Sequence, residues 1–100
     1  MSSTAPQIRV TIPPALRPLC GDVPSRRAEL CFAAASVREL LSQLARLHPQ
    51  VHVLLCDERG EPRPHINVFV NADHVRARAG LDTPLTPGDV VTILPAVSGG

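Results

Sequence analysis

A chain of 100 residues is long enough for one domain with a single hydrophobic core. Hydrophobic residues make up 44% of it and charged residues 19%, which excludes a disordered chain and favours a compact soluble domain. The net charge of +1 and the aromatic content of 2% argue against nucleic-acid binding, which needs a basic surface or stacking aromatics. Because no apolar run reaches the ~20 residues of a membrane span and no signal peptide is recognisable, we expect a cytoplasmic domain without a membrane partner.

The first half of the chain begins with two predicted strands separated by a loop. Residues 7–12 alternate polar and apolar side chains, which predicts a strand with one face toward the core. Two prolines follow and end it, because proline cannot donate to a sheet ladder. Residues 14–27 contain three prolines and a glycine and are predicted to be a loop, and residues 28–32 are predicted to be the second strand.

A helix is the strongest local signal in the sequence. Ser36 and Glu39 have the spacing of a capping box, in which the serine hydroxyl accepts the N–H of Glu39 and the glutamate reaches back. Apolar residues then follow at helical spacing on one stripe: Val37, Leu40, Leu41, Leu44 and Leu47. Pro49 is predicted to end this helix.

The second half of the chain reads as short strands joined by turns. Residues 51–55 form an apolar segment that fits a helix or a strand equally well. Three strands are predicted at residues 65–71, 75–77 and 90–94, with turns at 57–62, 71–73 and 83–89. The resulting order, β-β-α-β-β-β, predicts an α+β domain in which one main helix covers a mixed four- to five-stranded sheet, as in the β-grasp fold.

Histidines and cysteines offer one candidate metal site, which we disfavour. His48, His52 and Cys56 are four residues apart, a spacing that would stack them on one side of a helix and could suit zinc. However, Pro49 is predicted to interrupt any helix through residues 48–56. No serine, histidine and aspartate pattern indicates an enzyme either. Cys20, Cys31 and Cys56 are an odd set without a CxxC motif, so we expect reduced thiols.

The last two residues of the sequence, Gly99 and Gly100, directly follow a predicted core strand and its short extension. Two interpretations remain open at this point. The residues are a frayed end, or Gly100 carries a reactive carboxylate on a segment that can enter a narrow channel of another enzyme. A carboxylate is a poor electrophile until it is activated, for example as an acyl-adenylate.

Four segments together resemble the ThiS/MoaD family of ubiquitin-like sulfur carriers, and within it the actinobacterial carriers of the CysO type. They are LRP at 16–18, NVFVN at 67–71, LDTPL at 81–85 and GDVVTILPAVSGG at 88–100. The resemblance covers residues 7–100. It implies a β-grasp domain over residues 7–95, preceded by a disordered segment 1–6 and followed by a flexible tail 96–100.

The resemblance also implies a two-stage role in which the protein is a co-substrate and not a catalyst. An activating enzyme similar to MoeB and ThiF would use ATP-Mg to adenylate Gly100, and sulfur would then displace AMP to leave a thiocarboxylate. Val97, Ser98 and Gly99 would be recognised in that enzyme's channel. No stably bound cofactor and no metal are expected in the carrier itself.

The family fold implies which residues form the core and which dock a partner. The implied core consists of Ile8, Val10, Ile12, Leu30, Phe32, Leu40, Leu44, Leu47, Ile66, Val68, Val70, Val91 and Ile93. The implied docking residues lie on the open sheet face opposite the helix, and they are Phe69, Thr92 and Leu94. An exposed phenylalanine beside an exposed leucine is a plausible interaction hot spot.

The destination of the sulfur stays open at the sequence level. The accepting enzyme could be a pyridoxal-phosphate-dependent cysteine synthase, with a JAMM metallopeptidase as a further partner, or a thiazole or thiosugar synthase. Two alternatives share the same tail: a protein modifier conjugated through Gly100, and the small subunit of molybdopterin synthase.

Overall fold

The computed structural model describes residues 6–20 and 29–95, and within them a five-stranded mixed sheet carries two α-helices on one face. The strands are β1 (Gln7–Thr11), β2 (Glu29–Ala33), β3 (Ile66–Val70), β4 (Asp73–His74) and β5 (Val90–Pro95), and the helices are α1 (Val37–Leu47) and α2 (Pro49–Leu55). The strand order is β2-β1-β5-β3-β4, with β1 and β5 parallel and the other neighbours antiparallel. The predicted β-grasp class is confirmed.

One face of the sheet forms the core, as the alternation of the strands predicts. In the central strands Val10 pairs with Val91, and Val68 pairs with Ile93, so apolar side chains from three neighbouring strands line up on that face. Every predicted core residue except Leu47 is buried. The part of the chain that the structure describes contains no helix with the length and hydropathy to span a membrane.

Helix α1 begins at a serine cap that differs slightly from the predicted capping box. The Ser36 hydroxyl accepts the N–H of Glu39 at 3.2 Å, as predicted. The Glu39 carboxylate accepts the N–H of Ala35 at 2.9 Å and not that of Ser36. Both bonds satisfy backbone donors near the start of the helix, which have no partner within the helix itself.

The prediction that Leu47 belongs to the core is wrong. Leu47 is the last residue of α1 and is 54% exposed, whereas Leu44, one turn earlier, is fully buried. The core positions beyond Leu44 are filled by Val51 and Leu55, which are fully and almost fully buried in α2. The apolar stripe of α1 therefore ends one turn before the helix does.

Pro49 ends α1 and also begins α2, so no single helix runs from His48 to Cys56, as predicted, but residues 49–55 between them are helical. The chain bends at His48, whose backbone φ of −137° is not helical and whose N–H closes α1 on the carbonyl of Leu44 at 2.8 Å. Proline is compatible with the first turn of a helix because the N–H that it lacks has no helical partner there. The ambiguous segment 51–55 is consequently helical.

Two further predicted elements are wrong in type. The predicted loop 14–27 contains a 3₁₀ helix at Pro14–Cys20, and residues 21–28 lie outside the described part of the chain. The predicted strand 75–77 is a 3₁₀ helix, Val75–Ala77, and the strand lies just before it as β4. Asn71 adopts a φ of 55°, a left-handed conformation that asparagine tolerates, so β3 reverses into β4 earlier than predicted.

A carboxylate fixes the turn that leads into β5. Asp89 accepts the backbone N–H of Thr86 at 2.9 Å and the side-chain amide of Asn71 at 3.1 Å. These hydrogen bonds favour the ionised carboxylate, and they lower the pKa of Asp89 below its ordinary value. Asn71 in turn accepts the N–H of Val90 at 3.1 Å, so the first residue of β5 is held from outside the sheet.

Candidate functional site

The open face of the sheet brings together the three residues predicted to dock a partner. Phe69 and Thr92 are direct cross-strand partners on β3 and β5, and Leu94 lies opposite Asn67 two residues further along. Phe69 and Thr92 are half-buried, and Leu94 is 39% exposed. Their neighbours Val68 and Ile93 point into the core, so the strand alternation directs these three side chains outward. Their docking role stays a prediction.

A histidine that the sequence analysis did not single out packs against Phe69. His74 pairs with Phe69 across β3 and β4, and the two rings meet edge to face with centroids 5.1 Å apart. The Nδ1 atom of His74 accepts the N–H of Arg76 at 3.0 Å, so Nε2 is the atom that donates to the Asn67 amide oxygen, also at 3.0 Å. The ring of Phe69 therefore packs against a neighbour whose own position is set by two hydrogen bonds.

The strand β5 determines where the tail begins. It lies between β1 and β3, and its last residue, Pro95, pairs with Ile66 at the start of β3. The predicted tail residues Val97, Ser98, Gly99 and Gly100 lie outside the described residues. The domain therefore presents a fixed attachment point for them, at the end of the sheet where Leu94 is exposed.

The residues of the candidate metal site have separate environments. Cys56 is buried in the core, and this burial, together with the nearby charge of Asp57, raises the pKa of its thiol to about 11. His48 packs edge-on against Phe32, and partial burial lowers the pKa of His52. Within residues 6–20 and 29–95, no three histidine, cysteine, aspartate or glutamate side chains are grouped to hold a metal ion.

The described cysteines are free thiols. Cys31 is exposed on β2, on the open face of the sheet, and Cys56 is buried at the end of α2. The side chain of Cys20 lies outside the part of the molecule that the structure describes. The buried, protonated thiol of Cys56 acts as a small apolar group that packs with Leu55 and the rest of the core.

Curated relatives cover almost the whole chain. The sulfur carrier protein CysO of Mycobacterium tuberculosis is 35% identical over 95 residues, which cover 93% of this chain and 98% of the relative. A putative sulfur carrier protein of Archaeoglobus fulgidus is 35% identical over 65 residues, covering 65% of this chain and 74% of the relative.

Solved structures share both the fold and its extent. A chain of the Amycolatopsis orientalis BexX/CysO complex superimposes with a TM-score of 0.77 and 33% identity, covering 93% of this chain and 99% of that one. The small archaeal modifier protein 1 of Methanosarcina acetivorans gives a TM-score of 0.76 and 28% identity, covering 99% and 100%. The sequence model of the ThiS family matches residues 13–100, which include the whole sheet except β1 and extend through the tail. The chain therefore belongs to the ThiS family.

Proposed function

We propose that this protein is a sulfur carrier in which Gly100 is the attachment point of the sulfur. The observation that carries the proposal is the family match, which runs to Gly100, together with the similarity to a sulfur carrier over nearly the whole chain. The protein is then a co-substrate whose own side chains catalyse nothing. Its contribution is to present one carboxylate to successive enzymes.

The proposed chemistry has two steps. A Gly100 carboxylate oxygen attacks the α-phosphorus of ATP on an activating enzyme, and Mg-pyrophosphate leaves. A sulfur donor at the oxidation level of sulfide then attacks the acyl carbon, and AMP leaves with the electron pair of the broken C–O bond. The product is a thiocarboxylate, which is anionic and nucleophilic near neutral pH.

The fold supports this role by separating a rigid domain from the reacting group. Residues 96–100 continue from Pro95, and five residues span at most about 18 Å. An enzyme that holds Gly100 at its active site must therefore contact the domain around Pro95. Gly99 and Gly100 have no Cβ, so a channel fitted to them would exclude most other sequences.

We propose that the open face of the sheet docks the activating enzyme, which is expected to be similar to MoeB and ThiF. Phe69, Thr92 and Leu94 supply a mostly apolar surface next to Pro95, and His74 holds the ring of Phe69 in place. A preordered aromatic loses little conformational entropy on binding. Val97, Ser98 and Gly99 would follow the surface into the active site.

A second enzyme is proposed to accept the sulfur. A cysteine synthase that uses pyridoxal phosphate, or a thiazole or thiosugar synthase, would supply the bound electrophile that the thiocarboxylate attacks. A JAMM metallopeptidase would release a product attached to Gly100. The complex of a relative with BexX in A. orientalis supports the expectation that such carriers bind further proteins. The proposed site of action is the cytoplasm.

A role as a protein modifier is the second candidate, favoured by the similarity to a small archaeal modifier protein. In that case the activated Gly100 would form an isopeptide bond with a lysine of another protein. This protein contains no lysine, so it could not form chains with itself. Conjugates that resist thiol reducing agents on a denaturing gel would favour the modifier, and a free thiocarboxylate would favour the carrier.

Intact-mass spectrometry tests the proposal. The full chain is incubated with ATP-Mg, a MoeB/ThiF-type enzyme and sulfide, and conversion to the thiocarboxylate adds about 16 Da, the difference between sulfur and oxygen. Deletion of Gly99 and Gly100 should abolish the gain while the melting temperature stays unchanged, and Gly100→Ala should slow it. A deletion variant that still gains sulfur, or a full chain that never does, would contradict the proposal.

A further inference from the structure

The open face of the sheet carries very little charge. On β1, β3, β4 and β5, which lie wholly in the described part of the chain, the side chains that point to this face alternate with buried neighbours or pair across strands with those that do. They are Gln7, Arg9, Thr11, Asn67, Phe69, His74, Val90, Thr92 and Leu94. Arg9 alone among them carries a formal charge, because the Nδ1 atom of His74 accepts an N–H and its ring is therefore neutral.

Arg9 borders the residues that are proposed to dock the activating enzyme. It is exposed in the middle of β1, and its cross-strand neighbour on β5 is Val90. The next outward residue of β1, Thr11, pairs with Thr92, which in turn pairs with Phe69. The guanidinium of Arg9 therefore belongs to the same face as the docking residues, one row of side chains away from Thr92 and Phe69.

The described carboxylates near Arg9 are engaged elsewhere. Asp89 lies at the start of β5, but its carboxylate accepts the N–H of Thr86 and the side-chain amide of Asn71. The ion pairs of residues 6–20 and 29–95 are formed by other arginines. Glu29, on β2, is diagonal to Arg9 on the same face, and its side chain lies outside the described part of the chain. A variant at this position therefore belongs in the test.

We propose that Arg9 selects the activating enzyme by pairing with a carboxylate of that enzyme, an inference that rests on the proposed function. Charged residues are depleted in the centre of protein interfaces, and arginine is enriched there. Its planar guanidinium can donate two parallel hydrogen bonds to one carboxylate. Because the outward positions of β1, β3, β4 and β5 hold no aspartate or glutamate, the enzyme has to supply that carboxylate. An enzyme without one would remove the hydration of Arg9 without compensation.

An enzyme bound to the docking residues is large enough to reach Arg9. Val90, the neighbour of Arg9, and Leu94 are separated along β5 by about 13 Å, at about 3.3 Å per residue. A standard interface covers about 800 Å² of each partner, which corresponds to a patch about 30 Å across. An enzyme centred on Thr92 that contacts Leu94, next to the start of the tail, therefore also covers Arg9.

The rate of sulfur loading at increasing carrier concentration tests this inference. The unsubstituted chain, Arg9→Gln and Arg9→Glu are incubated with ATP-Mg, a MoeB/ThiF-type enzyme and sulfide, and the mass gain is followed over time. Arg9→Glu should raise the KM for the carrier at least about tenfold and Arg9→Gln at least about threefold, with kcat within about twofold. Added salt should raise the KM of the unsubstituted chain more than that of Arg9→Gln, because salt screens the proposed charge pair.

Two control variants separate a local contact from a general effect of charge. Arg46→Glu makes the same change of charge at an exposed position in the last turn of α1, on the other side of the sheet, and its KM should stay within about twofold. Glu29→Gln should also leave the KM unchanged. If Glu29→Gln raised it as much as Arg9→Gln, Arg9 would be paired within the carrier and the inference would be overturned. Arg9→Gln and Arg46→Glu should melt close to the unsubstituted chain, because both positions are exposed.

The same assay distinguishes this inference from the proposed function. If the unsubstituted chain gains no sulfur, the proposed function fails and the inference that rests on it fails as well. If the unsubstituted chain gains sulfur and both Arg9 variants share its KM, only the inference is overturned. Equal increases in KM for Arg9→Glu and Arg46→Glu would show a response to net charge alone, which also overturns it. A lower kcat at unchanged KM would likewise contradict a role of Arg9 in docking.

Discussion

Replacing Leu44 by alanine tests whether α1 covers the sheet as described. Leu44 is fully buried in the middle of the helix, within the core cluster that contains the strand residues. The substitution removes three carbons, which at about 0.8 kcal/mol each corresponds to about 2.4 kcal/mol of lost burial. A residual cavity of about 50 Å³ adds about 1 kcal/mol. We therefore expect the free energy of unfolding to fall by about 3–4 kcal/mol.

Leu47→Ala is the matched control, because it is the same substitution one turn later on the same helix. Leu47 is 54% exposed, so less than half of its burial energy can be lost, and alanine is the better helix former. The expected loss is at most about 1 kcal/mol. In urea unfolding followed by circular dichroism, Leu44→Ala should lower the midpoint by about 2 M and Leu47→Ala by well under 1 M.

Equal effects of the two substitutions would refute this account of the helical layer. If Leu47→Ala destabilised the protein as much as Leu44→Ala, the apolar stripe would extend to the end of α1, as the periodicity alone predicts. If neither had an effect, α1 would not cover the sheet. A change in the slope of the transition would instead indicate a change in the unfolded state.

Three further predictions concern the docking face, a turn and a thiol. Phe69→Ala should leave the fold intact, lower the melting temperature by several degrees because a half-buried ring is lost, and slow the mass gain with the activating enzyme beyond that of an equally destabilised core variant; equal rates would exclude a hot spot there. The pKa of Asp89 is lower in the folded state than in the unfolded chain, so the ionised carboxylate stabilises the fold. This stabilisation is complete above about pH 4 and is lost as the pH falls through the pKa of the folded state. Asp89→Asn should therefore flatten the acid limb of stability against pH, and an unchanged limb would contradict this. Cys56 is buried and its thiol has a pKa of about 11, so at pH 8 it should react with iodoacetamide far more slowly than the exposed Cys31. Peptide mapping measures the labelling of each cysteine, and equal labelling would mean that Cys56 is accessible.

Strand alternation and helix capping were predictable because each depends on a few neighbouring residues. The pattern of residues 7–12 and 90–94 identifies the two central strands and their core faces, and Ser36 identifies the start of α1. The exposure of Leu47 was not predictable in this way. It depends on α2 folding back to supply Val51 and Leu55 to the same core, and periodicity within α1 carries no information about that.

The candidate site was predictable only where it depends on strand alternation and not on contacts between distant elements. Alternation with buried Val68 places Phe69 on the open face, but its contact with His74 depends on β4, whose position follows from the left-handed turn at Asn71. The proposed chemistry of Gly100 came from the resemblance, because two glycines have no side chains from which a reaction can be inferred. The exposure of Val53 and Leu54 in α2 was not predictable, because residues 51–55 fit a helix or a strand equally well.

The central strand β5 connects the fold to the proposed function. Val91 and Ile93 anchor it in the core, Thr92 and Leu94 alternate with them on the open face, and Pro95 is where the tail begins. Any substitution that disturbs the core positions of β5 would shift the docking face and the tail together, so its effect on sulfur loading could not be assigned to either. The outward positions of β3 and β5 do not have this ambiguity, because their side chains contribute little to the core. Loss of activity there without loss of stability is therefore evidence for binding.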